Sequence, residues 1–353
     1  MLTRPNDYFS LDIKAQFDLI RKYGELSSKD LRIIEKDIWV CWVLKQIFGM
    51  PEESRLKMAF KGGTSLSKVY NVIDRFSEDV DITLDYRQFP EARELGLSDG
   101  QTAPASIGSA VRRRIDKALK DQVRAFSVDV VAPHLKIKLI DVQQGDSCEL
   151  VCNSDESIDL HYLSVIPDVT GSYIRNKILI EFGGRNIINP NQVFNVQPYI
   201  ADELSGYATF ASSDVVVLSA GRTFWEKATM MHVECHRGVR TNAERLSRHW
   251  YDLSELMKHE CGQQAHLDIH LMQDVVALKN IFFNSSKANY QKCLIGEFVL
   301  LPDEEGLTQL EFDYNQMLDS AMLNRNSDCF ETLVESIRVI EANINIAIRD
   351  FIK

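Results

Sequence analysis

Through residues 7–50 apolar positions recur at helical spacing. The run is plainest from Ser28 through Ile33, Ile34, Ile38, Trp39, Val40, Val43, Leu44 and Ile47, until Gly49 and Pro51 stop it. Lys36 and Asp37 fall inside this run and read either as facing a site or, the better reading, as a solvated helix face. From Phe60 to Tyr86 the chain reads FKGGTSLSKVYNVIDRFSEDVDITLDY, and its pattern changes twice. A short helical stretch carries Leu66, Val69, Tyr70 and Ile73. A strand-like stretch follows, in which Val80, Ile82 and Leu84 point one way and Asp79, Asp81 and Thr83 the other.

Residues 87–106, rich in Gly, Pro and Ala, read as a loop, and residues 106–125 as a helix. Farther on, His134–Ile140 alternates as a strand would, as do parts of 157–166 and 176–182, with turn signals at Gln144-Gly145-Asp146 and Gly183-Gly184-Arg185. From about residue 215 the pattern is helical to the end, with runs at 223–231, 240–257, 267–283 and 327–352. A strand-rich first part and a helical last part predict an α+β protein of two domains. The first spans residues 1–210, with helices over 7–50 and a sheet over 58–200; the second spans 211–353.

Composition sharpens this only modestly. A chain of 353 residues with 45% hydrophobic and 26% charged residues has the material for a substantial core. No segment has the apolar length of a membrane span, so no membrane partner is expected, and MLTRPNDYFSLD lacks the apolar core of a secretory signal. Seven cysteines without a CxxC pair argue against a disulfide framework or a zinc ribbon. A reducing, cytoplasmic setting is expected. A net charge of −11 excludes a protein that coats nucleic acid through overall basicity, although a local patch can still bind it.

One such patch is the predicted helix after residue 106: from Val111 to Arg124 six basic residues stand against two acidic ones, a local charge of +4. It reads either as a solvated face or as a contact for nucleic-acid phosphates. The alternating stretch places Asp79 and Asp81 side by side on one face of a strand, a costly arrangement unless a cation such as Mg²⁺ sits between them. Upstream, Gly62 and Gly63 open a helix whose backbone N–H groups suit a phosphate, with the hydroxyls of Thr64 and Ser65 close behind. Glu181 interrupts the apolar run Ile178–Phe182 and is the candidate for a third metal-facing carboxylate, with Asp159 second. Between Arg222 and Trp250 lie six basic and three acidic residues and three histidines. Lys227, on a helix predicted to begin near Thr223, suits a triphosphate. Arg245, Arg248 and Asp252 share a helix face, either as a structural Arg–Asp pair or as arginine delivered to phosphate with Asp252 orienting it. His232 and His236 read as helix-surface histidines, since neither the HExxH order nor a third ligand is present.

Taken together, Lys61-Gly62-Gly63-Thr64-Ser65-Leu66, Arg75-Phe76-Ser77-Glu78-Asp79-Val80-Asp81, Glu226-Lys227-Ala228-Thr229 and Arg245–Leu253 resemble, in order, the signature of the AbiEii/AbiGii-type nucleotidyltransferase toxins. These belong to the polymerase-β-like nucleotidyltransferase superfamily. The resemblance spans residues 60–253 and implies a mixed sheet flanked by helices, followed by a mostly helical part that carries the lysine and arginine/aspartate motifs. It implies metal-dependent transfer of a nucleotide from an NTP, with two Mg²⁺ ions, an RNA acceptor at the tRNA 3′ end, and a cognate antitoxin, the setting being toxin–antitoxin action or phage defence. Carried over by position, Asp79 and Asp81 hold Mg²⁺, and Gly62, Gly63, Thr64 or Ser65 and Ser77 meet the phosphates. Lys227 and Arg248 carry the triphosphate charge, and Asp252 supports the site. Two departures stand out: the gap between Gly63 and Asp79 is longer than in the superfamily pattern, and His249-Trp250-Tyr251 replaces more polar residues. Glu181 matches no motif and remains an inference from the strand pattern. A protein hydroxyl as acceptor, or NTP binding without turnover, are the alternatives.

Overall fold

The computed structural model describes residues 6–95, 103–104, 107–167, 175–241, 244–320, 322–324 and 327–353. Of the loop expected over 87–106, residues 90–95 form a 3₁₀ turn, while 96–102, 105 and 106 lie outside the described residues.

Two capped helices open the chain. Asp12 accepts from the Ala15 amide ahead of α1 (Ile13–Ser27), and Asp30 from the Arg32 amide ahead of α2 (Leu31–Phe48). Strand β1 (Met58–Lys61) runs directly into α3 (Gly62–Lys68), and β2 (Val80–Asp85) follows. After α4 (Ser109–Ala125) and α5 (Ala132–Leu139) come β3 (Glu149–Cys152), β4 (Ser157–His161), β5 (Lys177–Asn186), β6 (Asn191–Val196) and β7 (Ser213–Leu218). They form one sheet in the order β3-β4-β5-β2-β1-β7-β6. The sheet is mixed: β2 is antiparallel to β1 and parallel to β5, and β1 is parallel to β7. Val80, Ile82, Leu84, Ile178 and Ile180 are fully buried along β2 and β5, so apolar packing sets the register that carries the neighbouring acids.

Three expectations need correction. His134–Leu139 lies in helix α5 with Ile140 as its C-cap, because Leu135 and Leu139, four apart, are buried while Ile137 and Ile140 are exposed. The Gly183–Gly184 pair does not end its strand; β5 runs through it, and a Cβ on Gly184 would overlap Val123 of α4. The sheet also continues past residue 210, through β7.

The chain then continues as α6 (Ala220–Arg237), α7 (Arg248–Lys258), α8 (Glu260–Ala265), α9 (Ile269–Phe282), α10 (Tyr290–Cys293), α11 (Glu304–Asp319) and α12 (Phe330–Phe351). Two compact units result. One comprises Met1–Thr64, Glu78–Gln88 and Ala118–Val217 and contains the sheet; the other comprises Ser65–Ser77, Phe89–Lys117 and Leu218–Lys353. The helical unit has its own core around Trp225, Leu253, Met272, Phe298 and Ile337. Each such large side chain, fully buried, is worth about 1.5–3 kcal/mol. Among the described residues no helix is long and apolar enough to cross a membrane.

Candidate active site

In the sheet unit, β1 and β2 pair so that Lys61 faces Asp81, and β2 and β5 pair so that Asp81 faces Glu181. Register partners on adjacent strands project to the same face about 4.8 Å apart. Asp79, two residues before Asp81, leads into β2. The turn from β1 into α3 is shaped around this pair: Gly62 has φ +80°, and a Cβ there would overlap the Asp81 carboxylate. Only glycine meets both demands. The carboxylates repel. Burial first, then the charge of Asp81 and a hydrogen bond with it, then the charge of Asp79, push Glu181 up to about 7, against the opposing charge of Lys61. The side chain of Glu181 keeps an exposed surface, so a ligand can reach it. An oxygen-only donor set of carboxylates that repel one another fits the chemistry of Mg²⁺. Among the described residues no group of three or more His, Cys, Asp or Glu side chains is placed so that it could hold a metal ion. Mg²⁺ commonly takes only one or two protein carboxylates and draws its other ligands from substrate phosphates and water.

In the helical unit, Asp252 of α7 is fully buried and receives both arms of a guanidinium, Arg75 Nε at 2.6 Å and Nη2 at 2.8 Å. Lys227 of α6 reaches the same carboxylate at 2.8 Å, and the His249 ring lies 3.4 Å from the Lys227 ammonium. Local structure holds each group in place. The Arg75 segment bridges to Leu323, with the Phe76 amide donating to the Met322 carbonyl at 2.9 Å. The start of α7 is fixed by Asp313, which accepts from the amides of Arg245 (2.6 Å) and Ser247 (2.7 Å). Trp250 is buried beside Asp252, and its indole N–H donates to Leu300 at 2.7 Å. Burial raises the Asp252 carboxyl, but Arg75 and Lys227 outweigh it and hold the group well below the usual carboxylate range. Lys227 is itself lowered, first by burial and then by Arg75, because one carboxylate is shared by two cations. Burial, then the charge of Lys227, also lowers His249. The group therefore carries a net charge of +1, with Arg248 adding to the positive surroundings.

A family model described as nucleotidyl transferase AbiEii toxin, type IV TA system, matches residues 48–336. The chain belongs to this family. It is a nucleotidyltransferase toxin of a type IV toxin–antitoxin system, which implies an NTP substrate and an antitoxin partner. Among solved structures it is similar to the nucleotidyltransferase toxin MenT4 from Mycobacterium tuberculosis H37Rv, at 12% identity and a TM-score of 0.44, covering 96% of this chain and 99% of that one. No curated protein matches the sequence.

The remaining candidate residues of this AbiEii-family chain are placed as follows. Thr64 and Ser65 are buried, at 2% and 0% exposure, and Ser77 is half-buried. Asp159 is occupied by Lys177 at 2.9 Å. Arg245 precedes α7, in a left-handed conformation (φ 56°), so the helix expected from Arg240 begins only at Arg248. The arginine on Asp252 is Arg75, from a segment 177 positions away, where the spacing had suggested Arg248 or Arg245. Helix α6 begins at Ala220 behind a Ser219 cap, ahead of the expected start near Thr223. His232 is not a surface histidine: it is fully buried, accepting from the Val299 amide at 3.0 Å with Asn289 O on its other ring nitrogen. Lys36 and Asp37 are likewise buried rather than solvated. Sequence reasoning missed Arg75 and His249, although both lie inside the quoted motifs. No local pattern says that a residue ahead of a strand reaches a helix so far along the chain.

Proposed function

We propose that this toxin transfers a nucleotide from an NTP to the 3′ end of an RNA acceptor, tRNA being the acceptor the resemblance favours. The supporting observation is the pairing of two unbalanced charge groups in one chain. The charges of Asp81 and Asp79 push Glu181 upward, whereas Asp252 is shared by Arg75 and Lys227. The acids suit a metal ion and the cations suit a phosphate, the two parts of a metal–NTP substrate.

In this reading Asp79, Asp81 and Glu181 hold Mg²⁺, which supplies Lewis-acid polarisation of phosphoryl oxygens when bound. The backbone at Gly62–Gly63 orients a phosphate of the NTP. Lys227 and Arg248 carry triphosphate charge, while Asp252 and Arg75 fix the Lys227 ammonium in position. The acceptor hydroxyl loses its proton to solvent as its oxygen bonds to the α-phosphorus, the α–β bridge breaks with its electron pair on the β-phosphate oxygen, and pyrophosphate leaves. On α4 the buried stripe Ile115, Leu119 and Val123 leaves Arg113, Arg114, Lys117, Lys120 and Arg124 exposed as a face for RNA phosphates.

Incubation with each α-labelled NTP in turn and total RNA tests this. Label on a 3′ terminus, absent for Asp79→Ala, is expected. Label on protein alone, or labelling retained by Asp79→Ala, would overturn it.

A further inference from the structure

One turn of α2 carries three consecutive buried charges: Glu35, Lys36 and Asp37 are 2%, 1% and 8% exposed. A buried charge survives only with partners. Glu35 accepts from the Val165 amide at 2.7 Å and the Ser164 hydroxyl at 2.6 Å, and Asp37 accepts from the Tyr199 amide at 2.7 Å. Both hold connections between strands. Lys36 does something different. Its ammonium donates to the Arg175 carbonyl at 2.9 Å and to the Glu78 carboxylate.

Those two partners each lie just ahead of a strand. Glu78 lies two residues before β2 and Arg175 two residues before β5, and the two strands are parallel neighbours. Lys36 therefore ties together the entries of the strands that bear Asp81 and Glu181, and Asp79 is the residue between its tether and β2. The contact also sets a positive charge against Glu78.

We propose that Lys36 is a positioning residue for the acid cluster, acting through Glu78 to aim Asp79 and to keep the entries of β2 and β5 in step. The proposal rests on the reading of that cluster as a metal site. It predicts a sign that charge alone does not. Removing a cation near a metal site would tighten metal binding by electrostatics, whereas loss of positioning weakens it.

The test is Mn²⁺ binding to the metal-free, full-length protein, followed by electron paramagnetic resonance, with thermal unfolding run alongside. Lys36→Met and Glu78→Gln should each weaken Mn²⁺ binding about 10-fold, the low end of what outer partners of metal ligands contribute. The double variant should bind no more weakly than Lys36→Met alone, and Lys36→Arg should recover part of the loss. Unchanged or tighter Mn²⁺ binding by folded Lys36→Met overturns the proposal, as do wild-type affinity in Glu78→Gln or fully multiplying losses in the double variant. Should Lys36→Met fail to fold, Glu78→Gln and Lys36→Arg decide the matter on the same readout. Asp81→Asn separates the two levels. If it binds Mn²⁺ like the wild type, the metal reading itself falls; if it loses binding while the Lys36 and Glu78 variants do not, only the positioning role falls.

Discussion

The acid cluster on the sheet and the Asp252 cluster on α6 and α7 are unbalanced in opposite directions and are built by different means. Backbone register brings the acids together: Lys61, Asp81 and Glu181 are paired residues on adjacent strands, with glycine at position 62 making room for a carboxylate. Side chains from distant segments assemble the cation cluster, with Asp252 as the common partner of Arg75 and Lys227. The first arrangement leaves like charges together, with Lys61 opposing them at Glu181. The second shares one carboxylate between two cations. The acid group therefore suits a cation and the basic group an anion, the division of labour on which the proposed function rests.

The largest expected effect comes from breaking the cation cluster at its centre. Asp252→Asn strands two buried cations, and removing one partner of a buried pair costs about 3–5 kcal/mol. Thermal unfolding at pH 7 should show a clearly lowered midpoint. The wild-type carboxyl is held below its unfolded value, so its contribution is present above the ordinary carboxylate range and is lost as pH falls below it. Acid unfolding should accordingly be less pH-dependent in the variant. If the midpoint does not move, the cluster is not the anchor proposed here.

A smaller effect of opposite sign is expected on the acid side. Glu181 is raised to about 7, so its proton is held more tightly in the folded state, and stability falls as pH rises from the unfolded carboxylate range through about 7. Glu181→Gln removes that loss. Metal-free Glu181→Gln should be more stable than the wild type at pH 8 and indistinguishable from it near pH 4, and Mg²⁺ should narrow the difference at pH 8. A variant less stable than the wild type at pH 8 would mean that Glu181 is not under like-charge pressure.

The same contrast explains how far the sequence could be read. The alternation of Val80, Ile82 and Leu84 against Asp79 and Asp81 displays the strand and its acidic face, and Glu181 stands out inside an apolar run. Strand geometry is local, so these features are visible before any contact is known. Arg75 and Asp252 meet across 177 positions, and only tertiary packing joins them. The buried charges of α2 mislead for a related reason: a charge on a helix ordinarily belongs to solvent, and Lys36 is buried only because Glu78 and Arg175 supply its partners. In α5, His134–Ile140 fits both periods. Leu135 and Leu139 bury as a helical pair, which the alternation conceals.

The division of labour is tested most directly by titrating Mn²⁺ and, separately, inorganic triphosphate into the metal-free protein, comparing wild type, Asp81→Asn and Lys227→Met. Asp81→Asn should lose Mn²⁺ binding and keep triphosphate binding, while Lys227→Met should keep Mn²⁺ binding and lose triphosphate affinity. Equal losses of both ligands in both variants, or the reverse assignment, would contradict the account.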